Sequence, residues 1–367
     1  MAASKLNIAD ITPGTYFSAP VYLDNGFVLA SPETPLSVGL LHLLDKWEFR
    51  ELWSDGEAQK DRGEDIDEGR LEKAEEFFQE LEAYVEQLFM QTAIGVEINF
   101  AGLAKKIKDV CAVIKDERRF LLAVRGTENK NQEKKDFIAA HTVRSTFLSI
   151  VIGDYLKLPS DRLIGLGIAA LLHEIGMTKI PRHIYNVQRE LSPVERMNIL
   201  THPVTGYNIL KANRFPPEIG TAVLQHHERE NGSGYPQMIS GDRISLYARI
   251  IAVACSYEAL TANRPHKDAK NGHAGILDLL RNEGKAYDDT VIRALVYSLS
   301  IYPIGTFVLL SSGKKAQVVD VNPGDPRFPI VKISGNDDPD NGAAVETSAS
   351  GVKILRALTE EEIAALN

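Results

Sequence analysis

Cysteine is nearly absent from this chain: 367 residues contain only Cys111 and Cys255. Two cysteines cannot build a disulfide framework, so nothing here calls for an oxidising compartment. Long apolar runs are missing as well. The longest, residues 163–172 (LIGLGIAALL), is about half of the ~20 residues that a membrane-crossing helix needs. The opening MAASKLNIAD has no apolar signal core. Positive charge is in deficit, with 41 lysines and arginines against 50 aspartates and glutamates and a formal net charge of −9. That balance disfavours general nucleic-acid binding, although it leaves room for a local basic pocket. A hydrophobic fraction of 44% with 25% charged residues is ordinary globular composition, and the length allows two or three domains. The expectation is a cytoplasmic protein without a membrane span.

Four segments differ in pattern. Residues 1–57 read as a small mixed α/β unit. Its β-rich runs at 15–23 and 26–30 flank an Asp24-Asn25-Gly26 turn, a hairpin signal, and are followed by helical apolar spacing over 35–47 and a short strand at 50–53. Residues 58–95 read as a polar linker and a connector helix. In that helix Leu71, Ala74, Phe78, Leu81, Val85, Leu88 and Thr92 follow at alternating steps of three and four, a seam over three heptads. Two readings stand side by side: a homodimer paired through residues 71–92, or an amphipathic helix lying on its own domain. Residues 96–302 read as mostly helical, with Val96, Phe100, Leu103, Ile107, Val110 and Ile114 marking one amphipathic helix and a polar loop at 125–135. Residues 303–367 read as a small β-rich unit. Strand patterns at 307–310, 316–321 and 330–333 precede a loop at 336–344 and a short terminal helix with Thr359 as N-cap and Glu362 three residues later. The fold class expected is mainly α, a helical bundle with a small α/β unit before it and a small β-rich unit after it.

Histidine is scarce too, with nine in all, yet five stand between positions 141 and 227: His141, His173, His202, His226 and His227. His141 falls on a helical stretch over 138–156, with Arg144 one turn along. His173-Glu174 closes a run that is small and apolar on all sides, and Gly176 just beyond would end that helix. Adjacent helical residues point about 100° apart, so this pair does not chelate one small ion face-on. It can straddle a wider cluster, with the imidazole on one metal and the carboxylate bridging to the next. Two metals ~3.5–4 Å apart stabilise attack of a shared hydroxide on a phosphoryl group. His202 precedes a proline and a helical segment. His226-His227 ends a helix that begins near Pro217 and leads into a glycine-rich loop. Taken singly, each is an ordinary packed or exposed histidine; taken together with that loop, they point to a hydrolytic metal centre.

The segments LLHEIGMTKIP (171–181), HPVTGYNIL (202–210), HHERENGSGYP (226–236) and ARIIAVACSYEALTANRPHK (248–267) resemble the HD-GYP domain. That family is an all-helical branch of the HD superfamily, and its active members hydrolyse cyclic di-GMP. The resemblance covers roughly residues 137–293. It implies His141, His173, Glu174, His202, His226, His227 and position 255 as metal ligands, and two divalent transition-metal ions, iron, manganese or zinc, as cofactors. It also implies that Glu174 and His173 serve catalysis, that Gly234, Tyr235 and Pro236 line the substrate, and that Arg264 and Lys267 contact the phosphates and bases of cyclic di-GMP. A fork-shaped guanidinium and a point-charge ammonium suit that last task.

The departures from the family pattern are specific. The His-Asp pair is His173-Glu174, one methylene longer. The lysine three residues after it is Met177, and Lys179, two positions on, is the substitute cation. The metal-binding aspartate is Cys255, readable as a thiolate ligand that favours softer metals or as a small buried hydrophobe; Glu258, one turn away, offers a replacement carboxylate. Where some members have a further glutamate ligand stands Phe137. The expected function is a metal-dependent cyclic di-GMP phosphodiesterase of weak or altered activity. The alternative is a degenerate relative that acts as a cyclic di-GMP sensor or docks a signalling protein.

Overall fold

The computed structural model describes residues 4–366 except 12–14, 18, 24–27, 31–35, 37–39, 42, 43, 45, 48, 60, 61, 125–136, 188, 263–269, 283, 284, 323, 324, 336–340, 360, 361, 364 and 365. The chain divides into two compact units, residues 1–73 and 74–367.

The first unit is built on short strands: β1 (Ser4–Asn7), β2 (Tyr16–Phe17), β3 (Val21–Tyr22), β4 (Val28–Ala30), β5 (Glu51–Ser54) and β6 (Ala58–Gln59). β3 and β4 pair antiparallel, as the hairpin signal predicts, within a sheet of order β1-β5-β3-β4. The turn itself, and most of the expected helix at 35–47, lie outside the described residues. Phe17, Val21, Leu36, Leu44 and Leu52 form the core of this unit.

Helix α1 (Arg62–Ala93) begins in the first unit and continues into the second. From Ala74 onward its seam is covered within the chain: Ala74, Phe78, Leu81, Val85 and Thr92 are all buried, and Phe78 meets Phe147 edge-on at 6.2 Å. The heptad spacing therefore marks a helix lying on its own domain. A dimer through residues 71–92 would have to use the other, largely acidic faces. The next helix, α2 (Phe100–Ala123), starts later than the apolar spacing predicts. Asn99 caps it by accepting from the Gly102 amide at 3.1 Å, which leaves Val96 outside and exposed.

The second unit is mainly α. At its centre is α3 (Phe137–Tyr155), apolar or small on every side and buried along most of its length. It packs against α2, α4 (Ser160–Leu172), and two later helices. After short α5 (Arg182–Tyr185) and α6 (Pro193–Ile199) come α7 (His202–Ala212) and α8 (Pro217–Gln225), which pack on each other. α9 (Leu246–Thr261), α10 (Gly272–Arg281) and α11 (Asp289–Leu299) complete the helical part, with α9 and α11 both on α3. Ser245, Asn271 and Asp288 cap these three in turn.

The chain then forms a five-stranded antiparallel sheet from β7 (Phe307–Leu310), β8 (Lys315–Asp320), β9 (Ile330–Ile333), β10 (Ala344–Glu346) and β11 (Ile354–Ala357), in the order β10-β9-β8-β7-β11. Alternate residues of β7, β8 and β9 supply its core. Thr359 and Glu362 exchange the reciprocal capping bonds that their spacing predicts. Among the described residues no helix is long and apolar enough to cross a membrane.

Candidate metal centre

The histidines sit where helices end. His173 follows the last residue of α4, His226 follows the last residue of α8, and His202 opens α7 just beyond the end of α6. The last carbonyls of a helix have no intrahelical partner. Three of them take imidazole protons instead. His173 Nδ1 donates to the Ala170 carbonyl at 2.6 Å, His202 Nδ1 to Ile199 at 2.7 Å and His226 Nδ1 to Val223 at 2.7 Å. A carbonyl can only accept, so each Nδ1 carries the proton and each Nε2 presents a lone pair. This is the arrangement that orients imidazoles for metal binding.

Those lone pairs converge. His202 Nε2 and His226 Nε2 are 3.1 Å apart, and His173 Nε2 and His141 Nε2 are 3.3 Å apart. The first pair brings two acceptor lone pairs together, which repel unless a cation lies near both. The donors form two groups, in each of which the ligand atoms lie within 4.8 Å of one another: Glu174, His202, His226 and His227 in one, His141, His173 and Cys255 in the other. Glu174 reaches both. Its Oε1 lies 3.7 Å from His141 Nε2 and 3.6 Å from His173 Nε2, and its Oε2 lies 3.5 Å from His202 Nε2. Neutral imidazoles, a carboxylate and a thiol with converging lone pairs fit divalent transition-metal ions.

The electrostatics differ between the two groups. Against the effect of burial, Glu258 and Cys255 raise His141 to about 10 and Cys255 and Glu174 raise His173, while His226 and His227 are lowered. Burial opposes charge on Glu174, but His202, His173, His141 and His227 around it reverse that effect and hold its pKa at about 2. Burial pushes His226 and His227 well below the usual histidine range, so both are neutral and ready to act as ligands. Cys255 would be raised by burial alone, yet His173 and His141 bring its thiol down to about 6.

A supporting set surrounds the donors. Glu258 on α9 accepts from His141 Nδ1 and is itself approached by Arg144 Nη1 at 3.4 Å. Arg144 lies over the Phe78 ring at 5.2 Å, which links the seam of α1 to this set. In the glycine-rich loop, Tyr235 stacks on His227 with ring centroids 4.6 Å apart. Gly234 passes so close to the helix end that a Cβ there would meet the His227 carbonyl at 2.4 Å. Buried Glu228 accepts from the backbone amides of Gln237 at 2.6 Å and Ile239 at 3.2 Å, tying the loop down. Sequence reasoning passed over Glu228; its only signal is a carboxylate standing between two histidines and a glycine-rich loop.

The structure does not bring every expected residue to the cluster. Lys179 is exposed, and its Nζ donates to the Ala93 carbonyl at the end of α1, 2.9 Å away. The chain leaves a 3-10 turn at this residue, and the two-position shift turns the ammonium outward. The expected substitution of Met177 by Lys179 is thereby corrected. Met177 is buried among Ile138, Ile180, Ile184 and Tyr185, with Phe137 packed on the same group. Positions that bear charged groups in the family pattern are apolar packing here. Arg264 and Lys267 lie outside the described residues.

A family described as HD domain matches residues 128–291. Those residues are similar to an HD domain. The chain is 29% identical over 252 residues to a cyclic di-GMP phosphodiesterase of Pseudomonas aeruginosa, covering 68% of this chain and 60% of that protein. It is 26% identical over 230 residues to a cyclic di-GMP phosphodiesterase of Borreliella burgdorferi, covering 61% and 60%. It is also 30% identical over 171 residues to the 3'3'-cGAMP-specific phosphodiesterase 3 of Vibrio cholerae, covering 46% and 37%. The chain thus spans about 60% of the length of the first two relatives. All five clustered histidines, Glu174 and Cys255 fall inside the matched residues.

Proposed function

We propose that this chain is a metal-dependent phosphodiesterase of HD-GYP type that opens cyclic di-GMP, with weak or altered activity. The observation that carries this reading is the convergence of five imidazoles and Cys255 on either side of the Glu174 carboxylate. One ion would be held by His202, His226, His227 and Glu174, the other by His141, His173, Cys255 and Glu174. Such ions polarise a phosphoryl oxygen and supply an activated water. The chain's own residues prepare the ground for that chemistry. Glu174 joins the two halves with one oxygen towards each. The carbonyls of Ala170, Ile199 and Val223 hold three imidazoles in the ligand tautomer, and Glu258 with Arg144 orients the fourth. The Gly234-Tyr235-Pro236 loop, tied down through Glu228, covers His227 and would bound the substrate. Contacts from Arg264 and Lys267 to the phosphates and bases belong to the same reading.

The relatives' names support cyclic dinucleotides as the substrate class, with cyclic di-GMP and 3'3'-cGAMP both represented. The reading places the protein in the cytoplasm, where both free cysteines stay reduced. The second reading, a cyclic di-GMP sensor or a module for a signalling partner, has one observation in its favour. Met177 is sealed in an apolar cluster, where the family pattern has a lysine.

A time course decides between them. Purified protein supplied with manganese or ferrous iron is expected to yield linear product from cyclic di-GMP, and 3'3'-cGAMP is run in parallel. Product formation should vanish in a His226→Ala, His227→Ala double variant. Tight binding without product would assign the sensor, and neither binding nor product would overturn both readings.

A further inference from the structure

We infer that the two halves of the centre differ in metal preference: the His141–His173–Cys255 half selects zinc through a cysteine thiolate, and the His202–His226–His227 half takes an exchangeable manganese or ferrous ion. The inference rests on the metal-dependent reading above and deepens it.

Cys255 is a member of a cluster, not an isolated thiol. It is buried on α9, its Sγ lies 3.3 Å from His173 Nε2, and its Sγ and one nitrogen each of His141 and His173 lie within 4.8 Å of one another. The three side chains come from α3, the end of α4 and α9, elements that pack on one another through α3. With Glu174 Oε1 at 3.6–3.7 Å from both imidazoles, this half offers two nitrogens, one sulfur and one oxygen. Four such donors match the tetrahedral sites that zinc prefers. The other half offers three nitrogens and Glu174 Oε2, with no sulfur among the described residues of its group. Thiolate favours zinc strongly over manganese, whereas imidazole and carboxylate donors discriminate less. One carboxylate faces both halves, Oε1 towards one and Oε2 towards the other, so the sulfur is what makes the ligand sets unequal.

Cobalt reports the sulfur directly. Metal-free protein loaded with cobalt should take up two ions per chain and show sulfur-to-cobalt charge transfer in the near ultraviolet. Cys255→Asp should keep both ions and lose that absorption. In competition, protein given one equivalent each of zinc and manganese per chain and then desalted should retain one of each, with the zinc lost on Cys255→Asp before the manganese. Cys255→Asp should thus shift the content towards manganese. Two bound cobalt ions without charge transfer in the unaltered protein would overturn the inference and leave the phosphodiesterase reading standing. So would a zinc-to-manganese ratio that Cys255→Asp does not move. Failure of the unaltered protein to bind any metal would overturn both. Circular dichroism of the variant guards against a folding defect, and the cobalt spectrum of the unaltered protein decides even if the variant fails to fold.

Discussion

Gly176 is where side-chain size matters most. A Cβ at this position would lie 2.0 Å from the His202 carbonyl oxygen and 2.8 Å from the Gly206 amide. Both contacts are backbone atoms of α7, which cannot swing away as a flexible side chain could. Gly176→Ala should therefore push the start of α7 outward, carrying His202 with it, at a cost of about 3 kcal/mol. Denaturant melts should show the loss of stability, and metal content should fall with it. A variant as stable as the parent would mean that α7 tolerates displacement. The neighbouring Met177 illustrates the same tight packing with the opposite chemistry. Its side chain fills a pocket made by Ile138, Ile180, Ile184 and Tyr185, so a cation there would lack any partner within that apolar group.

At the scale of elements, α1 carries an amphipathic stripe that could have faced either a second chain or its own domain. The stripe packs inward, with Leu81 and Val85 fully buried and Phe78 bridging between Phe147 and Arg144. Leu81→Ala should cost about 3 kcal/mol of stability, in the usual range for a buried leucine truncated to alanine. Its sedimentation coefficient should match that of the parent. A change in oligomeric state with stability intact would reassign the seam to an interface between chains. Because Arg144 reaches Glu258, which holds His141, the stripe also supports the metal centre from behind.

Across the helical part of the molecule the centre acts as a fastener. Its donors come from α3, the ends of α4 and α8, the start of α7, and α9, so two ions held there would together join five helices. Binding to the folded state alone adds stability of about 2.7 kcal/mol at a hundredfold excess of ligand over its dissociation constant. Loading with zinc or manganese should raise the melting temperature, and chelation should lower it. The His226→Ala, His227→Ala variant should lose a large part of that response. An identical melting curve with and without metal would show that no ion binds preferentially to the fold.

Much of this was legible in the sequence because short-range rules govern it. Apolar spacing marks the buried faces of α1 and α2, small apolar runs mark the interior helices α3 and α4, and alternation marks β7 to β9, since helix and strand repeats are set by neighbouring backbone hydrogen bonds. The residue types of the centre and the resemblance that groups them were legible for the same reason, as local motifs. Which donor faces which was not. Cys255 and Glu258 meet His173 and His141 across 82 and 117 residues of chain. Lys179 and Met177, two residues apart, point one to solvent and the other into an apolar core. Such pairings depend on how α3, α4 and α9 pack, and packing is decided by side-chain shapes summed over the whole core. No local spacing encodes that sum; the tertiary structure divided one row of histidines into two halves and set a thiol in only one of them.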